Sequence, residues 1–412
     1  MKIRQMAAAA ASLTLVLGLA ACGGGSGDNK AAAGDRPNQM YTWVSNQSDR
    51  EQWETFIAGV KESGDSEFNI TLDGPSFQEY WTLVKTRMAA SDAPCIITTQ
   101  AARAQELGSL LAPLDDLAKE AGLDLSQYNE AMMQGLTVGG TVRAIPYDAE
   151  PMLLFYNKEM FEAAGLTAPG ADYSREQFLS DAKALTKDGK FGFAVSSDIG
   201  YPPLAISFAD GIVPTKDGEL TLTDEALVKD IQWTMDLVKE GVAAAPNPGD
   251  TDEVGRQAFM AGNVAMFIDG PWFYSTYQDG SDFEVGIAAP PSTSGQPGGM
   301  IQGSGFGVAD SCPDKAAAFA NIVKMTTPEV VAYVGQHRGT VPSIASALSG
   351  WSEGKPEADV KVVEALLESG QPLVTTPQWN QVVTQFSQYS SDGYRGNKTA
   401  EEIMTQISQA IG

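Results

Sequence analysis

The stretch GNVAMFIDGPWFYSTYQDG, residues 262–280, sets four aromatic rings, Trp272, Phe273, Tyr274 and Tyr277, just past a Gly270-Pro271 break. Glycine followed by proline should end a strand. Rings on such a connection either plug a core or form a surface on which something flat lies. An aromatic plane suits the C–H face of a sugar, whereas carboxylates, amides and arginine suit its hydroxyls. Covalent and metal chemistry find little support. His337 is the only histidine, so a Ser-His or Cys-His system would depend on it, and no G-x-S-x-G elbow accompanies it. The same count excludes a histidine-rich zinc site. GSGFG at 303–307 is followed by no Gly-Lys-Ser/Thr and fails as a phosphate loop. DTDE at 250–253 lacks the spaced oxygen ligands of a calcium loop and reads as a helix start. The 52 acidic residues offer many carboxylate pairs for glycoside hydrolysis, and the sequence singles out none. We therefore expect no catalytic residue, no metal and no cofactor.

The elements that must position these rings alternate. Residues 41–99 read as β-α-β-α-β. MYTWV is a short strand. Ser48 with Glu51 suggests a capping box, and Trp53, Phe56, Ile57 and Val60 recur on one helical face. FNITL alternates as a strand. Ser76 with Glu79 suggests a second box, ahead of a stripe of Phe77, Tyr80, Trp81, Val84 and Met88. CIITT is a third strand. Such alternation predicts a parallel sheet covered on both faces. Ligands sit beyond the carboxyl ends of its strands. Those ends carry Asn46, Gln47 and Gln100; Gln47 serves equally as a helix start, and Trp43 as cleft wall or sheet core. Further on, Asp188-Gly189 and Asp217-Gly218 signal turns, residues 225–240 a helix, and Thr399 with Glu402 the boxed start of the last helix.

The N-terminus carries Lys2 and Arg4, an apolar run too short to span a membrane, and then Leu19-Ala20-Ala21-Cys22. It reads as a secretory signal over residues 1–21, and its end resembles a bacterial lipobox. The resemblance implies that Cys22 carries lipid, anchoring an exported chain to the outer face of the cytoplasmic membrane. Residues 22–37 look like a flexible tether. The remaining chain, about 375 residues, is long for one core and suggests two domains. The formal net charge is −25, and loss of Lys2 and Arg4 brings it to about −27. Such acidity argues against nucleic-acid binding.

Several phrases fall in a familiar order. YWTLVKTRMAASDAPCIIT, AIPYDAEPMLLFYNKEMFEAAGL, RQAFMAGNVAMFIDGPW, FEVGIAAPP, GSGFGVADSCPDKAAAF and RGTVPS resemble successive segments of the extracellular solute-binding proteins of ABC importers, in the carbohydrate-binding family. The Gly-Pro-Trp stretch and TTPQWNQV are most similar to the maltodextrin-binding branch. The resemblance implies a type II periplasmic-binding-protein fold, α/β, with a ligand cleft between two lobes joined by crossing hinge strands. It places lobe 1 at 38–145 and 302–348 and lobe 2 at 146–301 and 349–412. It implies a monomer that captures a sugar or oligosaccharide, closes by hinge motion and docks on a membrane permease, without chemistry. A polyamine or peptide ligand on the same fold, or a secreted carbohydrate-active enzyme, stays open.

The family commonly has Asp where Cys95 stands. In the implied fold the strand before Cys312 returns antiparallel beside the strand that Cys95 opens, which implies a Cys95–Cys312 disulfide. Trp272 and Trp379 match motif positions that face the cleft, as stacking platforms or as core fillers. Asp148, after the first crossing strand, is expected to accept hydroxyls or to cap a turn. Ser304 lies where backbone can approach a ligand. Arg338 either forks onto ligand oxygens or forms a surface ion pair.

Overall fold

The computed structural model describes residues 35–247, 250 and 252–412. The signal segment, Cys22 and residues 22–34 of the tether lie outside the described residues. In lobe 1, β1 (Gln39–Tyr41), β2 (Thr71–Asp73) and β3 (Ile96–Gln100) alternate with α1 (Gln47–Glu62) and α2 (Phe77–Met88). Trp53, Phe56, Ile57 and Val60 form the buried stripe of α1, and Tyr80, Trp81, Val84 and Met88 that of α2. Phe77 leaves the stripe: it is 39% exposed at the start of α2.

The chain continues through β4 (Ile145–Pro146), crosses on β5 (Glu150–Pro151), and builds a second sheet from β6 (Leu153–Asn157), β7 (Phe191–Ala194), β8 (Ala243–Ala244), β9 (Val264–Asp269) and β10 (Val285–Ala288). It returns on β11 (Met300–Gln302) to β12 (Ser304–Val308), and β13 (Gln371–Pro372) follows late. Helices α3 (Arg175–Leu185), α4 (Glu225–Lys239) and α5 (Asp252–Met260) belong to lobe 2. Then come α6 (Lys315–Met325), α7 (Pro328–Arg338), α8 (Glu357–Ser369), α9 (Trp379–Tyr394) and α10 (Ala400–Ile411).

The first sheet runs β2-β1-β3-β12-β4, parallel across its first three strands, with β12 antiparallel to both neighbours. The second runs β8-β7-β9-β6-β10. A three-stranded sheet, β13-β11-β5, stands between them. Pro146 still pairs with Gly305 in the first sheet, one residue beyond the expected edge of lobe 1. Each large sheet has its own apolar core, one around Trp53, Phe56 and Phe306, the other around Phe178, Phe193 and Ile268. The central strands β3, β12, β6, β9 and β10 are buried on two faces, while the edge strand β2 is exposed.

Cys95 precedes β3 and Cys312 follows β12, whose register sets Val308 opposite Ile96. The two sulfurs are bonded, with Cα atoms 5.0 Å apart. Asp188 and Gly189, and likewise Asp217 and Gly218, have φ of 54° and 78°, and 54° and 83°. The pair at 217–218 makes the tight hairpin turn that Asp-Gly favours, between Thr215–Lys216 and Glu219–Leu220, and the pair at 188–189 turns the chain from α3 into β7.

Two caps depart from expectation. α1 is capped by Asn46, whose side chain accepts from Asp49 N at 3.0 Å. Ser48 is not the cap, and its hydroxyl instead accepts from Arg338 at 2.9 Å. Ser76 holds the cap position of α2, but its hydroxyl donates to Glu79 rather than accepting a backbone N–H. The capping box of α10 is complete: Thr399 accepts from Glu402 N, and Glu402 accepts from Thr399 N. Thr399→Ala is therefore expected to cost about 1 kcal/mol in denaturant unfolding, and an unchanged midpoint would contradict this.

Candidate functional site

Three chain crossings meet between the lobes. β5 pairs with β11, Glu150 opposite Gln302. A third segment, residues 340–343, runs alongside: Ala149 N donates to Val341 O at 2.9 Å, and Ser343 Oγ to Pro146 O at 2.8 Å. Residues 148 and 150 share one face of the crossing strand, because side chains alternate with period two. Asp148 accepts from Ser304 N. Glu150 accepts from Val341 N at 3.2 Å through Oε1, while its Oε2 has no hydrogen-bond partner. Both carboxylates are buried, at 6% and 2% exposure. Burial pushes Asp148 up to about 8. Burial and the neighbouring Asp148 together hold Glu150 well above the carboxylate range.

From lobe 2, the turn Pro271–Phe273 leaves the carboxyl end of β9 and packs against β5. Trp272 is half-buried and lies flat on Gly270: a Cβ there would fall 2.2 Å from the indole ring. Glycine is what permits that close approach. The other rings hold this turn. Tyr277, fully buried, donates to Asp269, and Tyr274 donates to Asp359 at 2.7 Å. Phe273 lies under the Arg256 guanidinium, 3.7 Å from its ring centre. Asp269 also accepts from Arg256 Nε at 3.1 Å and from Gly270 N at 2.8 Å. The loop after β7 adds Asp198 and Tyr201. Asp198 accepts from Gly200 N, and Ser196 donates to Asp252 at the start of α5. Burial, then Asp198, raises Asp252 to about 8. Burial likewise raises Asp198.

Lobe 1 faces this with aromatic rings and one cation. Trp43 is 7% exposed and makes edge contacts with Trp53, Phe77 and Tyr80. Arg103 lies 5.1 Å over Trp81, pairs with Glu106, and crosses to lobe 2, donating to Asn380 at 3.1 Å. Its charge also acts on Asp198. Beside it, Thr375 of lobe 2 donates to Ala102 O at 2.6 Å. The lobes are thus in contact across the cleft.

The residues expected at the site scatter over this geometry. Asp148, Ser304 and Gln100 converge on the hinge, Gln100 opposite Ser304 across β3 and β12. The turn that carries Trp272 packs against β5, two residues past Asp148. Asn46 and Gln47 sit on an exposed lip, where Asn46 caps α1 and Gln47 donates to Glu51. Arg338 spends its donors inside lobe 1, on Ser48 and, at 3.7 Å, Glu51. Trp379, at 2% exposure, packs in the lobe 2 core. Trp43 belongs to the lobe 1 core, with only its Phe77 neighbour reaching solvent. Sequence reasoning missed Glu150, Arg103, Asp198 and Tyr201. The strand-end rule, applied to FGFA in lobe 2, would have reached Asp198 and Tyr201; period two from Asp148 would have reached Glu150.

Two α/β lobes crossed three times by the chain, with strand ends facing one cleft, define a hinged binding protein. The family model for bacterial extracellular solute-binding proteins matches residues 57–393, and the chain belongs to that family. It is 22% identical to the maltodextrin-binding protein MdxE of Bacillus subtilis, over 94% of this chain and 92% of that one. It is 22% identical to the diacetylchitobiose binding protein DasA of Streptomyces coelicolor, over 91% and 90%. Among solved structures, the substrate-binding protein Lmo0181 of Listeria monocytogenes in complex with cycloalternan superposes with a TM-score of 0.78 at 19% identity, covering 90% of this chain and 97% of that one. Among the described residues no helix is long and apolar enough to cross a membrane, and no acidic, histidine or cysteine cluster could hold a metal.

Proposed function

We propose that this protein is the sugar- or oligosaccharide-capturing receptor of an ABC importer. It acts as a monomer tethered through Cys22, closes on its ligand and hands it to the permease without chemistry. The observation that carries the reading is Trp272. A half-buried indole, locked flat over Gly270, rides on a turn that packs against the strand of Glu150, a buried carboxylate with a free acceptor oxygen. Ring face for C–H groups and acceptor for hydroxyls is the pairing a sugar requires. The names of the relatives, for maltodextrin and diacetylchitobiose, agree with it. Arg103, Gln100, Asp148, Ser304 and Tyr201 complete the polar set, with Trp43 behind the lobe 1 wall. The structure favours Trp272 over Trp379 as the platform, since Trp379 has little free ring face.

The test is titration calorimetry with maltotriose, diacetylchitobiose, spermidine and a dipeptide. One of the sugars should bind with saturable unit stoichiometry. Trp272→Ala should weaken it roughly 30-fold, about 2 kcal/mol, the scale of an aromatic hot spot. Gly270→Ala, which forces the ring off its seat, should weaken it in the same direction. A second reading, a polyamine ligand, is favoured by Asp198 and Asp252 beside aromatic rings. Binding of spermidine but no sugar would replace the first reading with the second.

A further inference from the structure

Asp148 and Glu150 stitch the hinge together. Asp148 accepts a backbone N–H from Ser304, the first residue of β12 just past the crossing β11, and Glu150 accepts one from Val341 of another crossing. Neither has a counter-charge: no lysine or arginine among the described residues acts on either carboxylate. Of the elements packed on the pair, β11, β12, residues 340–343 and Pro271–Phe273 carry no titratable side chain; the short helix Glu130–Gly135 brings Glu130 and α8 brings Glu357, Asp359, Lys361, Glu364 and Glu368, none of which acts on either carboxylate. Tyr147, itself buried, is the titratable neighbour, and burial and then Asp148 push its phenol far up. Two anions cannot both be kept in such a site, because an isolated buried carboxylate is many kcal/mol above its hydrated form and neutralises instead. At neutral pH the closed hinge therefore holds at least one proton between them.

We propose that closure of the lobes is coupled to proton uptake by the Asp148–Glu150 pair, so that mild acid favours the closed, ligand-holding form and alkali the open one. This rests on the hinge-closure reading above. The physical step is hydration. Opening the lobes bends the three crossings, admits water to the pair and returns both carboxyls toward their ordinary range near 4. The closed form binds protons more tightly between that value and about 8, the value burial imposes on Asp148. Proton binding to the form that holds it better pulls the equilibrium toward that form. For one proton the closing equilibrium should strengthen about tenfold for each pH unit lowered within that window, and level off above it. A receptor so built would hold its ligand more firmly in an acidified exterior.

Small-angle X-ray scattering of the ligand-free protein from pH 5.5 to 9 tests this. The radius of gyration of the wild type should rise with pH. In the double variant Asp148→Asn/Glu150→Gln, which keeps the acceptors but cannot ionise, it should stay at the compact value throughout. The variant comparison separates the hinge pair from Asp198 and Asp252, which also titrate high. If circular dichroism shows the double variant misfolded, each single variant should show a reduced pH response. A flat wild-type profile, or the same profile in all variants, overturns the coupling. Saturating maltotriose, diacetylchitobiose or spermidine at pH 7 then tells which reading fell. Compaction with any of them leaves hinge closure standing without its proton; no compaction removes both.

Discussion

Replacing Cys95 and Cys312 together by alanine should lower the unfolding free energy of the protein by about 2–5 kcal/mol. The bond joins residues 217 apart in sequence. Closing a ring of that size removes much of the freedom of the unfolded chain, roughly 5 kcal/mol in the chain-entropy account. Both sulfurs are buried, at 0% and 3% exposure, so alanine adds no stranded hydroxyl and a small void is the only further cost. The bridge sits at the amino end of β3, opposite the cleft. Affinity for the ligand should hence persist in the folded variant while its guanidinium midpoint falls. The fall should be matched by adding a reductant to the wild type under denaturing conditions. A loss under about 0.5 kcal/mol would show that the lobe 1 sheet holds these segments together unaided.

The second large effect concerns Arg256. Asp269 has no exposed surface, and its neighbours are the Arg256 guanidinium, the Tyr277 hydroxyl and Gly270 N. Burial already raises its carboxyl, and Arg256 opposes that rise. Arg256→Met keeps much of the stem over Phe273 and deletes the charge, leaving a buried anion unpaired. The expected cost is about 3–5 kcal/mol. Adding Asp269→Asn should restore a good part of it, since removing both charges is far milder than removing one. The pH dependence carries a sign. A carboxyl whose folded pKa lies above its unfolded one binds more protons when folded, so its stability falls as pH rises between the two. Without Arg256 that gap widens. The deficit of Arg256→Met should thus be larger at pH 8 than at pH 5. A deficit independent of pH would mean that packing, not charge, is what Arg256 supplies. Because Asp269 also holds Gly270, the seat of Trp272, the variant should lose ligand affinity along with stability.

Arg256 and Asp269 also show what was hard to read. RQAFMAGNVAMFID spaces them 13 residues apart, across a helix and a strand, and no local pattern pairs them. The rings of 272–277 divide between the two uses open to them, Tyr274 and Tyr277 packing in the core and donating to buried carboxylates while Trp272 stays half-exposed. That Tyr274 donates to Asp359 was invisible, since the two are 85 residues apart. The capping patterns split for a similar reason. Thr399 with Glu402 has no competing partner and forms its box. Ser48 has Arg338 as a partner 290 residues away, and the cap moved to Asn46.

What the sequence determined by itself is whatever neighbours along the chain decide. Helical stripes, Asp-Gly turns, the alternation of strands and helices and the poverty of histidine all follow from residue type at short spacing, because local sterics and burial periodicity act over a turn or a strand. The family resemblance supplied the order of lobes and the Cys95–Cys312 pairing. Only the tertiary structure decided which strand-end residues face the cleft and which are spent elsewhere. Asn46 and Arg338 satisfy lobe 1, and Trp379 fills a core. Arg103, Glu150, Asp198 and Tyr201 reach the space between the lobes. A side chain's donors and ring faces go to whatever packing brings within about 3 Å. In a chain that crosses between its lobes three times, those partners come from segments hundreds of residues apart.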